Sequence, residues 1–196
     1  MRVIAGRAGG VRLVSPKSGV RPTMDRVKAA IFSSLGEMVT GARVLDLFAG
    51  TGGLGIEALS RGADSAIFVE EDRQSISAIE KNLAKTGFRA RVRQQDVFGF
   101  LKTAGPEQFQ IIFADPPYEK MKSGERFTEK LLENEHLPKL LEHGGIFVLE
   151  KRPSEEVPDT KRWQVDRQKA YGATEVLFLS AIRKRQSGSD PVSKIL

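Results

Sequence analysis

The chain predicts an α/β fold: a doubly wound, mostly parallel sheet with helices on both faces. Three observations carry that prediction. From Arg43 onward, short apolar runs of strand length alternate with stretches of helical periodicity. A glycine-rich turn, Gly50-Thr51-Gly52-Gly53-Leu54-Gly55, stands between the first of those strands and the next helix. Acidic residues stand where the strands end.

The elements follow in order. Val3-Ile4-Ala5 and Val11-Arg12-Leu13-Val14 read as two short strands around an Ala8-Gly9-Gly10 turn. Pro16, Ser18 and Gly19 break that pattern. Thr23 is placed to cap a helix with Asp25 in its first turn, where the helix dipole favours an acid. Val27, Ile31, Leu35 and Met38 recur along it at helical steps, and Gly41 ends the segment. Val44-Leu45-Asp46-Leu47-Phe48 is a buried-type strand, and the glycine turn leads to a helix through Ile56, Leu59 and Ser60. Ala66-Ile67-Phe68-Val69 is a second strand, closed by Glu70-Glu71-Asp72. A helix through Ile76, Ile79 and Leu83 then runs to Gly87. Arg91-Val92-Arg93-Gln94 is a weaker strand running into Asp96, and the strand Phe109 to Ala114 ends at Asp115. One helix over 125–142 precedes the strand Ile146-Phe147-Val148-Leu149. Strands near 163–169 and 174–182 form a closing hairpin around Tyr171-Gly172, which adds antiparallel edge strands. There is no internal repeat, and the polar stretch from Gln186 to Leu196 reads as disordered.

A length of 196 residues suits one domain with a small appendage. No apolar run approaches the ~20 residues of a membrane span, and the first residues lack the apolar stretch of a secretory signal. A cytoplasmic protein without membrane contact is expected. The absence of Cys excludes disulfides and thiolate metal sites. His136 and His143, both in the expected helix, make neither a metal site nor a catalytic triad, so no metal is expected. The net charge of +6 favours a polyanionic partner. Arg2, Arg7, Arg12, Lys17, Arg21, Arg26 and Lys28 crowd the N-terminal stretch, where Asp25 is the sole acid, and Arg183, Lys184 and Arg185 follow at the other end. The carboxylates lie mostly in the middle, which predicts a basic surface beside an acidic pocket.

The turn matches G-x-G-x-x-G between a strand and a helix, with Glu70 twenty residues beyond Gly50. That spacing fits a nucleotide-type cofactor at the carboxyl edge of the sheet, the acid accepting both ribose hydroxyls. Nicotinamide enzymes share the spacing, so the other acids decide. Asp46 lies inside the strand four residues before Gly50. A pyrophosphate would be repelled there, whereas the ammonium and sulfonium of S-adenosylmethionine would be attracted. Asp96 closes the third strand within reach of an adenine amine, and Asp115 closes the fourth. Any one of these acids also reads as a helix cap or a solvated loop residue. Four together make a pocket for a cationic cofactor.

Asp115-Pro116-Pro117-Tyr118 directly follows the fourth strand. An exocyclic base amine is a poor nucleophile because its lone pair is delocalised into the ring. A carboxylate and a backbone carbonyl that accept its two N–H groups turn that lone pair toward a methyl donor. Asp115 and the Pro116 carbonyl suit that task, and the two prolines fix the carbonyl's direction. In-line transfer needs the reacting atoms within about 3–3.5 Å, so direction matters. Tyr118 would stack on a base drawn out of its own stack.

Asp46-Leu-Phe48-Ala-Gly50-Thr51-Gly52 and Asp115-Pro-Pro-Tyr118 resemble the class I S-adenosylmethionine methyltransferases acting on nucleic-acid amines. Three N-terminal segments resemble the bacterial 16S rRNA (guanine-966 N2)-methyltransferases. They are Arg2-Val-Ile-Ala-Gly6, the run Gly10 to Leu13, and Arg21-Pro-Thr-x-Asp25-Arg26-Val-Lys28 with Ile31-Phe32. The Tyr171-Gly172 segment fits as well, and the similarity extends to about Arg183. The resemblance implies a Rossmann-like seven-stranded sheet with an N-terminal β-hairpin and helix extension. It implies residues 1–40 as a basic extension that docks RNA, 41–183 as the methyltransferase domain and 184–196 as a basic tail. It maps Asp46, Phe48, Gly50, Thr51 and Gly52 to the cofactor loop, Glu70 (or Glu71, if the register slips) to the ribose and Asp96 to the adenine. It implies one guanine N2 of 16S rRNA as target, within an assembled or assembling small subunit. Arg7, Arg12, Arg21, Arg26 and Lys28 are then candidates for RNA phosphates. Nothing calls for more than a monomer. A DNA adenine-N6 methyltransferase would use the same tetrapeptide but needs a target-reading region for which the chain has no room. A non-catalytic rRNA-binding assembly factor would need neither the tetrapeptide nor the acids, and a nicotinamide oxidoreductase leaves Asp46 unexplained.

Overall fold

The structure is a computed structural model that describes residues 1–15, 22–105, 108–117 and 126–183. Its elements are α1 (Pro22–Leu35), a 3-10 turn (Gly36–Val39), β1 (Arg43–Leu47), α2 (Gly53–Ser60), β2 (Ser65–Glu70), α3 (Arg73–Thr86) and β3 (Arg91–Gln94). There follow α4 (Val97–Thr103), β4 (Phe109–Ala114), α5 (Phe127–Glu133), α6 (Leu137–Leu140), β5 (Leu141–Lys151), β6 (Trp163–Tyr171) and β7 (Thr174–Ala181). The strands form one seven-stranded sheet in the order β3-β2-β1-β4-β5-β7-β6. Pairing is parallel from β3 through β5, and β7 and β6 add the antiparallel edge.

Period-two alternation sorts the sheet's side chains into two cores. Val44, Phe68, Ile111, Phe113, Val148, Val176 and Phe178 pack with α1, α2 and α3 on one face. Leu45, Leu47, Ile67, Val69, Ile112, Ala114, Leu149 and Leu177 pack with α4, α5 and α6 on the other. Burial on both faces is why these strands read as continuous apolar runs.

The N-terminal stretch differs from the expected pair of strands. Only Arg2 and Arg12 form an antiparallel bridge. Hydrogen bonds from Val3 N to Val11 O and from Leu13 N to Met1 O keep the hairpin course. The amides of residues 4, 5, 7 and 8 turn instead to α2. Ile4 N and Ala5 N donate to the Glu57 carboxylate, and Arg7 N and Ala8 N donate to Ser60. Backbone groups satisfied by α2 are not free to build a ladder. Val3, Ala8, Leu13, Val27, Ile31, Phe32 and Leu35 all belong to the α1–α3 core, so the extension is packed into the domain. Helix α1 begins at Pro22, so Thr23 lies within it rather than ahead of it, and Val39 is buried in place of the exposed Met38.

The single helix expected over 125–142 is two short helices followed by a longer strand. Asn134 Oδ1 accepts the amides of His136 and Leu137 and so starts a new helix, into whose first turn Pro138 fits. Strand β5 then opens at Leu141, paired with Phe109, and its register jumps so that Ile146 meets Ile111. His143 is therefore a strand residue.

Candidate active site

The order of strands reverses between β1 and β4: the chain builds outward from β1 through β2 and β3, then from β4 through β5. Ligands of open α/β sheets sit outside the carboxyl ends of the strands at such a switch. Leu47 pairs with both Val69 and Ala114, and Ala114 pairs with Leu149. The next residues, Glu70, Phe48, Asp115 and Glu150, therefore make one row across four strands at the carboxyl edge. Asp46 lies one side-chain layer below. By alternation Asp46, Glu70, Asp115 and Glu150 continue the α1–α3 face. Phe48 should join them, but it has a φ of +54°. That left-handed backbone, rare for a bulky side chain, breaks the alternation. Its ring packs on the opposite side with Phe127 at 5.3 Å and Phe98 at 6.3 Å.

The glycine loop is braced by two of the acids. Glu70 Oε2 accepts from Gly50 N at 2.8 Å, while Oε1 accepts from the amides of Glu71 and Asp72 at 2.9 Å. Glu70 faces the loop. Asp46 Oδ2 accepts from Gly55 N in the first turn of α2 at 2.8 Å. A Cβ at Gly55 would lie 2.3 Å from the Phe68 ring and 3.1 Å from Asp46 Oδ2, so only glycine lets α2 approach the sheet this closely. Gly50 has a φ of +54°, and a Cβ there would meet only the Phe48 carbonyl, at 4.0 Å. The loop is open on that side. Asp96 caps α4, accepting from Gly99 N at 2.7 Å.

Burial dominates the electrostatics. It pushes the Asp46 carboxyl up to about 8, with the Gly55 N–H opposing and the charges of Asp115 and Glu70 adding to the rise. Asp115 is pushed up to about 6 by burial. Burial and then the charges of Asp115 and Asp46 hold Glu150 well above the usual carboxylate range. The edge is thus a crowd of carboxylates in low dielectric, a site that gains from cations and N–H donors. Among the described residues, no group of His, Asp or Glu is arranged to hold a metal ion.

The family described as conserved hypothetical protein 95 (Cons_hypoth95) matches residues 1–180. The Bacillus subtilis protein named "Putative rRNA methyltransferase YlbH" is 40% identical over 90% of this chain and 96% of its own length. Ribosomal RNA small subunit methyltransferase D of Escherichia coli K12 is 36% identical over 97% of this chain and 93% of its own. The chain belongs to this methyltransferase family. A solved Thermus thermophilus protein, TTHA0928, superposes with a TM-score of 0.76 at 31% identity, covering 92% of this chain and 99% of that one.

The donor set of the methyltransferase fits S-adenosylmethionine. The loop is open at Gly50, the Thr51 hydroxyl is buried without a hydrogen-bond partner among the described residues, and the surrounding acids suit a cation and ribose hydroxyls. Pro116 is buried and Pro117 exposed behind Asp115; Tyr118 lies outside the described residues. So does Arg21. Arg12 and Arg26 are exposed, and the Arg7 guanidinium lies over the Phe88 ring at 5.0 Å.

Lys28 corrects its reading as a phosphate contact. It is 3% exposed, pairs with Glu57 at 3.4 Å and donates to the Arg2 carbonyl at 2.6 Å. Burial lowers its pKa, and its ammonium holds the N-terminal stretch from within. Two features escaped the sequence reading. Glu150 ends the run Ile146 to Leu149 as Glu70 ends Ala66 to Val69, and that shared pattern could have exposed it. The Phe48–Phe98–Phe127 cluster, with Lys130 Nζ 5.8 Å from two of the rings, depends on tertiary placement and leaves no local signal.

Proposed function

We propose that the methyltransferase transfers a methyl group from S-adenosylmethionine to the exocyclic N2 of guanine 966 in 16S rRNA, in the cytoplasm, as a monomer acting on the assembled or assembling small subunit. The observation that carries this reading is Asp115-Pro116-Pro117 at the end of β4, beside the glycine loop of β1 across the switch point. Relatives named small subunit rRNA methyltransferases, matched over nearly the whole chain, support rRNA as the substrate class.

The cofactor supplies an electrophilic methyl group. The chain does the rest by position and charge. Asp115 and the Pro116 carbonyl accept the two N–H groups of the amine and direct its lone pair. The nitrogen gains a positive charge as the C–N bond forms, and Asp115 takes the proton that restores neutrality. Asp115 must therefore be ionised at the start. Glu70 holds the ribose hydroxyls and Asp96 the adenine amine. Gly50, Thr51 and Gly52 line the loop, with Asp46 supporting it from below. Tyr118 stacks on the target base. Arg7, Arg12, Arg21 and Arg26 meet RNA phosphates.

The test is transfer of a labelled methyl group to undermethylated small subunits, naked 16S rRNA and duplex DNA. Label recovered as N2-methylguanosine from rRNA is the expected result, with the particle preferred. Replacing Arg7, Arg12 and Arg26 together should weaken RNA binding and flatten its salt dependence by about one counterion per lost contact. Label in DNA alone would overturn the substrate.

A further inference from the structure

We propose that Glu150, beside Asp115 at the carboxyl edge of the sheet, selects guanine by accepting the N1–H of the target base while Asp115 and the Pro116 carbonyl hold its amine. The inference rests on the guanine-N2 reading above and names the residue that gives it specificity.

Position comes first. Ala114 and Leu149 are partners on neighbouring parallel strands, so Asp115 and Glu150 emerge side by side, about 4.8 Å apart in backbone, on the same face. Strand β7 continues beyond them, with Val176 opposite Glu150, so the carboxylate is held by strands on both sides. Among the described residues, no donor is hydrogen-bonded to this carboxylate. The adjacent cation, Lys151, alternates to the other face, where Glu175 at 2.5 Å and the carbonyls of Arg152 and Glu155 engage it. Among the described residues Glu150 is thus an acceptor without a donor, set next to the acid that grips the amine.

The base that fits can be found by counting donors. Guanine presents three N–H bonds along one edge, two on N2 and one on the adjacent N1. Adenine and cytosine present two, with a ring nitrogen lone pair where guanine has N1–H. The site brings three acceptors to the same edge: Asp115 and Glu150 side by side, and the Pro116 carbonyl of the residue that follows Asp115. Guanine satisfies all three, whereas adenine would set a lone pair against a carboxylate. A site built to pair a polar group rejects a ligand that leaves it unpaired far more strongly than an apolar pocket rejects a misfit. Burial first, and then the charges of Asp115 and Asp46, raise the pKa of Glu150, and an N1–H donated to it favours the ionised, accepting form.

The test uses small subunits reconstituted with guanine or 2-aminopurine at the target position. The analogue keeps the N2 amine and replaces N1–H with a lone pair. It also lacks O6, a change common to every variant, so the quantity read is the change in preference between variants. Wild type should prefer guanine in kcat/KM by about 10- to 100-fold. Glu150→Gln can turn an amide N–H toward a bare N1, and its preference should shrink to within about threefold at unchanged cofactor affinity. Glu150→Asp, still a carboxylate, should keep the preference for guanine. Loss of one charge from a buried carboxylate cluster does not threaten folding, and melting curves check this. A preference unchanged in Glu150→Gln, or absent in wild type, overturns the role of Glu150 alone. Wild-type label recovered from any base other than guanine overturns the parent reading, and it is read from the product nucleoside independently of the ratio.

Discussion

Asp115 has an ordinary carboxylate's chemistry and an unusual setting. Burial lifts it to about 6, so near neutral pH it is mostly ionised but only by a small margin. A protonated Asp115 can neither accept an amine N–H nor take the released proton. The sign follows directly: kcat/KM should rise with pH through about 6 and level off above 7, because this quantity reports the free enzyme. In kcat the same limb should lie lower, since a bound sulfonium favours the ionised form. Asp115→Asn keeps the shape and removes the base. It should cost about a thousandfold or more in transfer while leaving cofactor affinity by calorimetry within a few-fold. Transfer at the wild-type rate would exclude Asp115 from the chemistry. Phe48 is the other informative residue at this scale. Its backbone strain, worth about 1–3 kcal/mol, moves an aromatic ring off the acid face and leaves that face open.

The element that ties the extension to the domain is α2. Glu57 is fully buried, yet its carboxylate accepts from Ile4 N, Ala5 N and Arg61 Nε and pairs with Lys28. Removing one side of a buried pair strands the other, at a cost of about 3–5 kcal/mol. Glu57→Ala should lower stability in denaturant by that order and speed amide exchange at Ile4 and Ala5 in particular. Uniform loss of protection would instead mean that the extension unfolds only with the whole domain. The same anchor explains what could be read in advance. Strand and helix alternation from Val44 to Leu149, Asp46 within β1 and the acids closing β2, β3 and β4 were legible, because local periodicity and strand termini carry them. The N-terminal ladder was not, because α2 takes its backbone hydrogen bonds from a distance. Lys28 reads as one more basic residue in a basic stretch, and only Glu57, far along the chain, turns it inward. Asn134 hid inside an otherwise leucine-rich helical pattern, where its side-chain cap outweighs the periodicity.

For the whole molecule, concentrating carboxylates at one edge of the sheet has a cost in stability that depends on pH. Asp46, pushed up to about 8, Asp115, pushed up to about 6, and Glu150, also pushed up, all bind protons more tightly folded than unfolded. A raised pKa contributes stability that is fully present below the unfolded value near 4 and is lost as pH rises through the folded one. Glu175 works the other way: Lys151 holds its pKa down, so its contribution disappears as the solution becomes acidic. The ligand-free protein should therefore lose stability steadily as pH rises from about 4 to about 8, Asp115 contributing up to about pH 6 and Asp46 carrying the loss through about pH 8. Each ~1 kcal/mol lost lowers Tm by about 2–4 °C in a chain of this size. Asp46→Asn can still accept the Gly55 N–H through its amide oxygen but has no charge to bury. Its melting temperature should change little above about pH 7 and should exceed that of wild type at about pH 8.5. A wild-type Tm independent of pH over this range, or an Asp46→Asn variant that follows the wild-type curve, would mean that Asp46 ionises without cost. The acid edge would then have no electrostatic strain for a cationic cofactor to relieve.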